Sequence, residues 1–140
     1  MKQILKAILL LVLCSLLLLT AVACSGGIKG EDAKATVADF LAAIAAEDYA
    51  AAESLLHPER PAALEPFFLS VEEDEGLDFA QGIEIEKYTG FSSAYYDSTV
   101  DGSTYALTVR TRVGDETVKF TVELVKNEKG FGIYNLELDA

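Results

Sequence analysis

A chain of 140 residues leaves room for one domain, and 23 acidic against 11 basic residues give it a formal charge of −12. Such a surface repels phosphate backbones and anionic head groups, which argues against nucleic-acid binding and polybasic membrane docking. With 2 cysteines and 1 histidine there is no His and Cys cluster for zinc, and neither a P-loop nor a dinucleotide fingerprint occurs, so no metal and no cofactor is expected.

The chain opens on Lys2 and Lys6, continues as an apolar run from Ala7 to Leu19, and then offers the small residues Thr20-Ala21-Val22-Ala23. This is the order of a secretory signal. The run is about thirteen residues and reaches ~20 Å as a helix, short of the ~30 Å hydrocarbon core of a bilayer. Cys24 follows directly, and Ala21-Val22-Ala23-Cys24-Ser25-Gly26-Gly27 resembles the bacterial lipobox, where the chain is cut before a cysteine that then carries lipid. The resemblance implies a lipoprotein signal peptide over 1–23, lipidation at Cys24, a flexible tether over 24–30 and a protein held on the extracytoplasmic face of the cell membrane.

The cysteine count fits that reading. Cys14 leaves with the signal, so Cys24 remains alone and no internal disulfide can form. Two or three acyl chains at ~0.8 kcal/mol per buried methylene anchor a protein stably, where one chain is marginal. The signal takes two lysines with it, which leaves nine basic against 23 acidic residues, a formal charge of −14. The six or so residues of the tether reach ~13 Å, so the domain over 31–140 should sit close to the membrane.

From Glu31 to Ala46, Val37, Phe40, Leu41 and Ile44 recur at the spacing of one helix face, with Glu31 and Asp32 in the first turn. A break at Glu47-Asp48-Tyr49 and an alanine-rich run from Ala50 to Leu56 predict a second, shorter helix that stops before Pro58. Between Pro61 and Asp78, Leu64, Phe67, Phe68 and Leu69 call for burial, while Pro61, Pro66 and the run Glu72-Glu73-Asp74-Glu75-Gly76 break regular structure. A short helix followed by a solvated acidic loop is expected there; the run lacks the alternating ligands and central glycine of an EF-hand.

The second half predicts strands over Ile83–Thr89, extending toward Tyr96, then Thr104–Val113, Thr117–Lys126 and Phe131–Leu138. Tyr105, Leu107, Val109, Thr111 and Val113 share one face, and Val118, Phe120, Val122 and Leu124 share one face of the next strand. Asp101-Gly102, Gly114-Asp115 and Asn127-Glu128-Lys129-Gly130 are connections too short for parallel crossovers, so an antiparallel meander is expected. In the last strand Phe131 and Ile133 lie in one phase and Tyr134, Leu136 and Leu138 in the other, which predicts a bulge or two partly covered faces. The fold class is α+β, with N-terminal helices packed on a curved antiparallel sheet of about four strands.

Val37-Ala38-Asp39-Phe40-Leu41, Glu47-Asp48-Tyr49-Ala50-Ala51-Ala52, Leu55-Leu56-His57-Pro58 and the closing Gly130-Phe131-Gly132-Ile133-Tyr134 together resemble the nuclear transport factor two-like, or cystatin-like, superfamily and its small bacterial lipoproteins of unassigned function. The resemblance spans roughly 32–139. It implies a sheet wrapped around a cone-shaped cavity, used in that superfamily for catalysis, for small ligands, or for dimerisation and partner binding, and so leaves the function open.

Catalysis on such a scaffold needs a carboxylate base and polar donors converging in an apolar pocket. Tyr88, Tyr95, Tyr96, Tyr105 and Tyr134 are candidate donors, with Asp97 and His57 as candidate bases, yet none stands in a catalytic pattern. No catalytic residue is assigned. His57 reads first as a histidine at a helix end and second as a pocket residue. The favoured function is a non-enzymatic protein-interaction module whose partner is another envelope protein or a second copy of the chain. The alternative is a carrier of a small-molecule ligand in the cone cavity, and an isomerase-like or cyclase-like enzyme comes third. Tyr96, Tyr105, Tyr134 and His57 are the candidate ligand or interface residues.

Overall fold

The computed structural model of the chain describes residues 3–4, 27–95 and 102–140, the side chains of 91–95 excepted. The expected signal peptide apart from residues 3–4, together with Cys24, Tyr96 and Asp97, lies outside the described residues. Helix α1 (Gly30–Ala45) starts with Glu31 and Asp32 in its first turn, where they face the positive end of the helix dipole. It buries Ala33, Val37, Phe40, Leu41 and Ile44, the stripe that the sequence spacing calls for. The helix ends with Glu47 in the left-handed region at φ 57°. There Glu47 N–H donates to Ile44 O at 3.0 Å and Asp48 N–H to Ala43 O at 2.9 Å, which satisfies two carbonyls of the last turn. Asp48 then caps the next helix, α2 (Tyr49–Glu53), its side chain accepting from Ala51 N–H at 3.1 Å.

Helix α2 is shorter than the alanine-rich run predicts. It ends at Glu53, and Leu56 leaves the helical path to form a parallel bridge with Ile133. Helix α3 (Leu64–Glu75) is longer than predicted and takes in the acidic run over 72–75 that was expected to form a loop. The reason is local. Pro66 falls in the first turn, where its missing N–H has no intrahelical partner to lose, and glutamate is a good helix former, so the break comes at Gly76, at φ 67°. Glu72 also caps the following 3₁₀ turn (Phe79–Gln81), accepting from Phe79 N–H at 3.1 Å.

The strands are β1 (Glu84–Tyr95), β2 (Ser103–Val113), β3 (Glu116–Asn127) and β4 (Gly130–Asp139), in spatial order β1-β2-β3-β4 and antiparallel throughout. Among the described residues the architecture is therefore helices followed by an open four-stranded antiparallel sheet. Gly114, at φ 60°, takes the first place of the two-residue turn between Val113 and Glu116, a left-handed position that suits glycine. The β3–β4 pairing slips by one residue opposite Tyr134, between Glu123–Asn135 and Leu124–Ile133. This is the bulge that the two hydrophobic phases of the last strand require, since it lets both Ile133 and Leu136 stand in register with the core residues Leu124 and Val122.

The core lies between the helices and one face of the sheet. Phe40 of α1, Phe68 of α3, Phe79 of the 3₁₀ turn and Phe120 of β3 form a continuous chain, with ring centroids 6.2, 5.4 and 6.4 Å apart. All four are fully buried, and each stabilises the fold by about 1.5–3 kcal/mol relative to exposure. Thr111 is the buried polar exception on this face, and its hydroxyl donates to Val118 O at 2.8 Å. The opposite face carries Thr108, Arg110, Arg112, Lys119 and Glu123, with Glu86 bridging Arg110 at 3.2 Å and Arg112 at 2.7 Å.

Candidate functional site

The parallel bridge between Leu56 and Ile133 organises one end of the molecule. His57 N–H donates to Ile133 O at 2.8 Å, and Ile133 N–H donates to Leu55 O at 2.9 Å, so the segment after α2 occupies the outer edge of β4. Gly132 makes this approach feasible, because a Cβ there would stand 2.5 Å from both His57 N and Leu56 C.

The bridge buries His57 completely and obliges both ring nitrogens to find partners. Glu59 N–H donates to Nδ1 at 3.1 Å, which makes Nδ1 an acceptor and places the ring proton on Nε2. Nε2 then faces two acceptors, Asn127 Oδ1 at 3.0 Å and Gly130 O at 3.2 Å. The Asn127 amide is oriented by its surroundings: Oδ1 also accepts from Lys129 N–H at 2.9 Å and Gly130 N–H at 3.3 Å, while Nδ2 donates to Glu59 Oε2 at 2.9 Å. His57, Glu59 and Asn127 thus lock the α2–α3 connection onto the β3–β4 turn. The histidine is not at a helix end, as one reading of the sequence had it; it lies beyond α2 in the bridging segment, and both its nitrogens are committed to the fold.

Tyr134 packs its ring edge-on to His57, with centroids 5.9 Å apart, and the Arg60 guanidinium lies over the same ring at 5.1 Å. Beside them opens a cleft of about 360 Å³ along β4, lined by Leu56, Arg60, Leu64, Phe67, Tyr134 and Leu136 among others. Phe67 is 41 % exposed and Leu69 49 % exposed. Among the described residues Arg60 forms no ion pair, although the chain is acidic overall.

The structure brings together two of the residues singled out from sequence, His57 and Tyr134. Tyr105 lies elsewhere, packed against the core beneath the start of α1, where a Cβ at Gly30 would stand 2.9 Å from its phenol oxygen. A second cleft of about 400 Å³ lies near that end, between Ile28, Thr36, Lys126 and Phe131. Tyr88 reaches Lys34 O at 3.5 Å with Lys34 Nζ over its ring, and burial pushes its pKa up. Among the described residues no three acidic, His or Cys side chains form a metal-binding group.

Sequence reasoning missed Arg60 and Asn127 as site residues, and it expected burial of Phe67 and Leu69, which the fold instead leaves exposed. Two glycines flanking Phe131 inside a strand were the available signal, since glycine within a strand marks close backbone approach. No helix among the described residues is long and apolar enough to cross a membrane. Comparison with protein-family models, curated proteins and solved structures gives no match for this chain.

Proposed function

We propose that the chain is an exported lipoprotein, cut before Cys24 and anchored by lipid on that residue at the extracytoplasmic face of the cell membrane. Its domain, of the cystatin-like kind with a curved sheet, is a non-enzymatic protein-interaction module for another envelope protein, a second copy of the chain being the other candidate partner. The observation that carries the interaction reading is the cleft beside β4, where an exposed Phe67 and an Arg60 without an ion pair among the described residues flank the open edge of a sheet. Aromatic and arginine side chains at a concave edge are the chemistry of a protein-binding surface. The alternative is a small-ligand carrier using a cone cavity of the sheet; the packing of Phe40, Phe68, Phe79 and Phe120 between helices and sheet, among the described residues, favours the interaction reading over it.

Site-specific photo-cross-linking in the exporting cell tests this reading. A photoreactive residue replacing Phe67 yields a discrete protein adduct, and one replacing Thr108 on the polar face of the sheet does not. Equal adducts from both positions, or none from either, would contradict the proposal.

A further inference from the structure

The outer edge of β4 is paired over only part of its length. Leu55–His57 bonds to Ile133 through both its N–H and its C=O, and then the chain turns away, Arg60 N–H closing the turn on His57 O at 2.9 Å. Among the described residues nothing pairs with the edge from Asn135 to Asp139. A sheet edge of this kind presents a row of backbone donors and acceptors to another extended chain, and the cleft runs along its first residues.

We propose, on the footing of the interaction reading, that this edge takes up an extended segment of another protein as an added strand continuing the line that Leu55–His57 begins. Alternation of side chains in the added strand fixes its chemistry. On the helix side, Tyr134, Leu136 and Phe67 offer apolar contact and Arg60 offers a cation, so that side of the segment carries a carboxylate and apolar residues at two-residue spacing. On the other side stand Glu137 and Asp139, both exposed and in register with Thr121 and Lys119, so that side of the segment is polar or basic. A second copy of β4 fits poorly, because it would bring Glu137 and Asp139 against themselves and offers Arg60 only Leu136 and Leu138 on the helix side.

The test is a titration of the isotopically labelled full chain in detergent micelles, followed by amide NMR. The probe is an acetylated hexapeptide amide with aspartate, valine and valine at its odd positions and threonine, lysine and threonine at its even ones. Saturable shifts and slowed amide exchange confined to Asn135–Leu138 and the cleft are expected, with affinity lowered about fivefold by Arg60→Gln or by asparagine in place of the peptide's aspartate. No saturable binding at millimolar peptide, shifts elsewhere on the domain, or affinity indifferent to both changes would overturn the proposal. Concentration-dependent shifts of the same amides without peptide would also overturn it, in favour of pairing between copies. If the peptide fails while the adduct from position 67 persists, strand addition falls and the interaction reading stands; if both fail, both fall.

Discussion

Nε2 of His57 lies 3.0 Å from Oδ1 of Asn127, seventy residues further along the chain. One hydrogen bond thereby ties the connection between two helices to the last turn of the sheet, from a fully buried ring to a half-buried amide. The cleft beside β4 keeps its shape because this tie holds one of its walls.

Removing His57 takes away a fully buried ring, while removing Asn127 leaves Nε2 with only the Gly130 carbonyl and deprives the Lys129 and Gly130 amides of their acceptor. His57→Ala and Asn127→Ala are each expected to destabilise the domain by about 2–4 kcal/mol. The double variant should lose less than the sum, with a coupling of about 1 kcal/mol or more, read from urea unfolding of the chain lacking residues 1–26. Full additivity would show that the two side chains act independently.

Gly132→Ala adds one methyl group where the backbone of Leu56 and His57 passes at 2.5 Å. Backbone cannot move aside as a flexible side chain can, so the expected cost is about 2–3 kcal/mol, with loss of amide protection at His57 and Ile133. Protection unchanged from the parent protein would contradict the close approach.

Glu47→Gly is expected to stabilise the domain. Glu47 holds φ 57° at the end of α1, a conformation that costs an L-residue about 1–2 kcal/mol and glycine almost nothing. After the entropy that glycine adds to the unfolded chain, a net gain of about 0.5–1 kcal/mol remains, measurable as a raised Tm. A lowered Tm would show that the Glu47 side chain contributes more than its backbone strain costs.

The Tyr49 phenol is held above its ordinary value of 10.0, first by burial and then by the negative charges of Glu72, Glu47 and Glu65. A folded-state pKa above the unfolded one makes this contribution to stability complete below about pH 10 and lost as pH rises through the folded value. Ultraviolet titration should therefore show late-ionising tyrosines, Tyr49 and the half-buried Tyr88 among them, and Glu72→Gln should bring one of them down while leaving stability near neutrality unaffected by this group. Late ionisation unchanged for every tyrosine on Glu72→Gln would show that this carboxylate plays no part in the shift.

What the sequence made legible follows from periodicity. The stripe Val37, Phe40, Leu41, Ile44 predicts α1, the alternation in β2 and β3 predicts their buried faces, and the two phases of β4 predict a bulge or two partly covered faces, of which the fold takes the bulge, at Tyr134. What escaped is of two kinds. Pro66 and the acidic run have the look of breakers in the sequence, although proline is harmless in a first turn and glutamate favours helix. The Leu56–Ile133 bridge and the His57–Asn127 bond join residues far apart in sequence, and local pattern carries no record of such a partner. The cleft depends on both, so in the sequence Arg60 looks like an ordinary surface residue and Phe67 like a core residue, and only the fold places them, both exposed, beside β4.

The functional reading rests on anchoring at Cys24, and the most direct measurement is metabolic labelling with radioactive palmitate in the exporting cell. The parent chain is expected to incorporate label and fractionate with membranes, and Cys24→Ala to lose the label. Label retained by Cys24→Ala, or absent from the parent chain, would contradict the account.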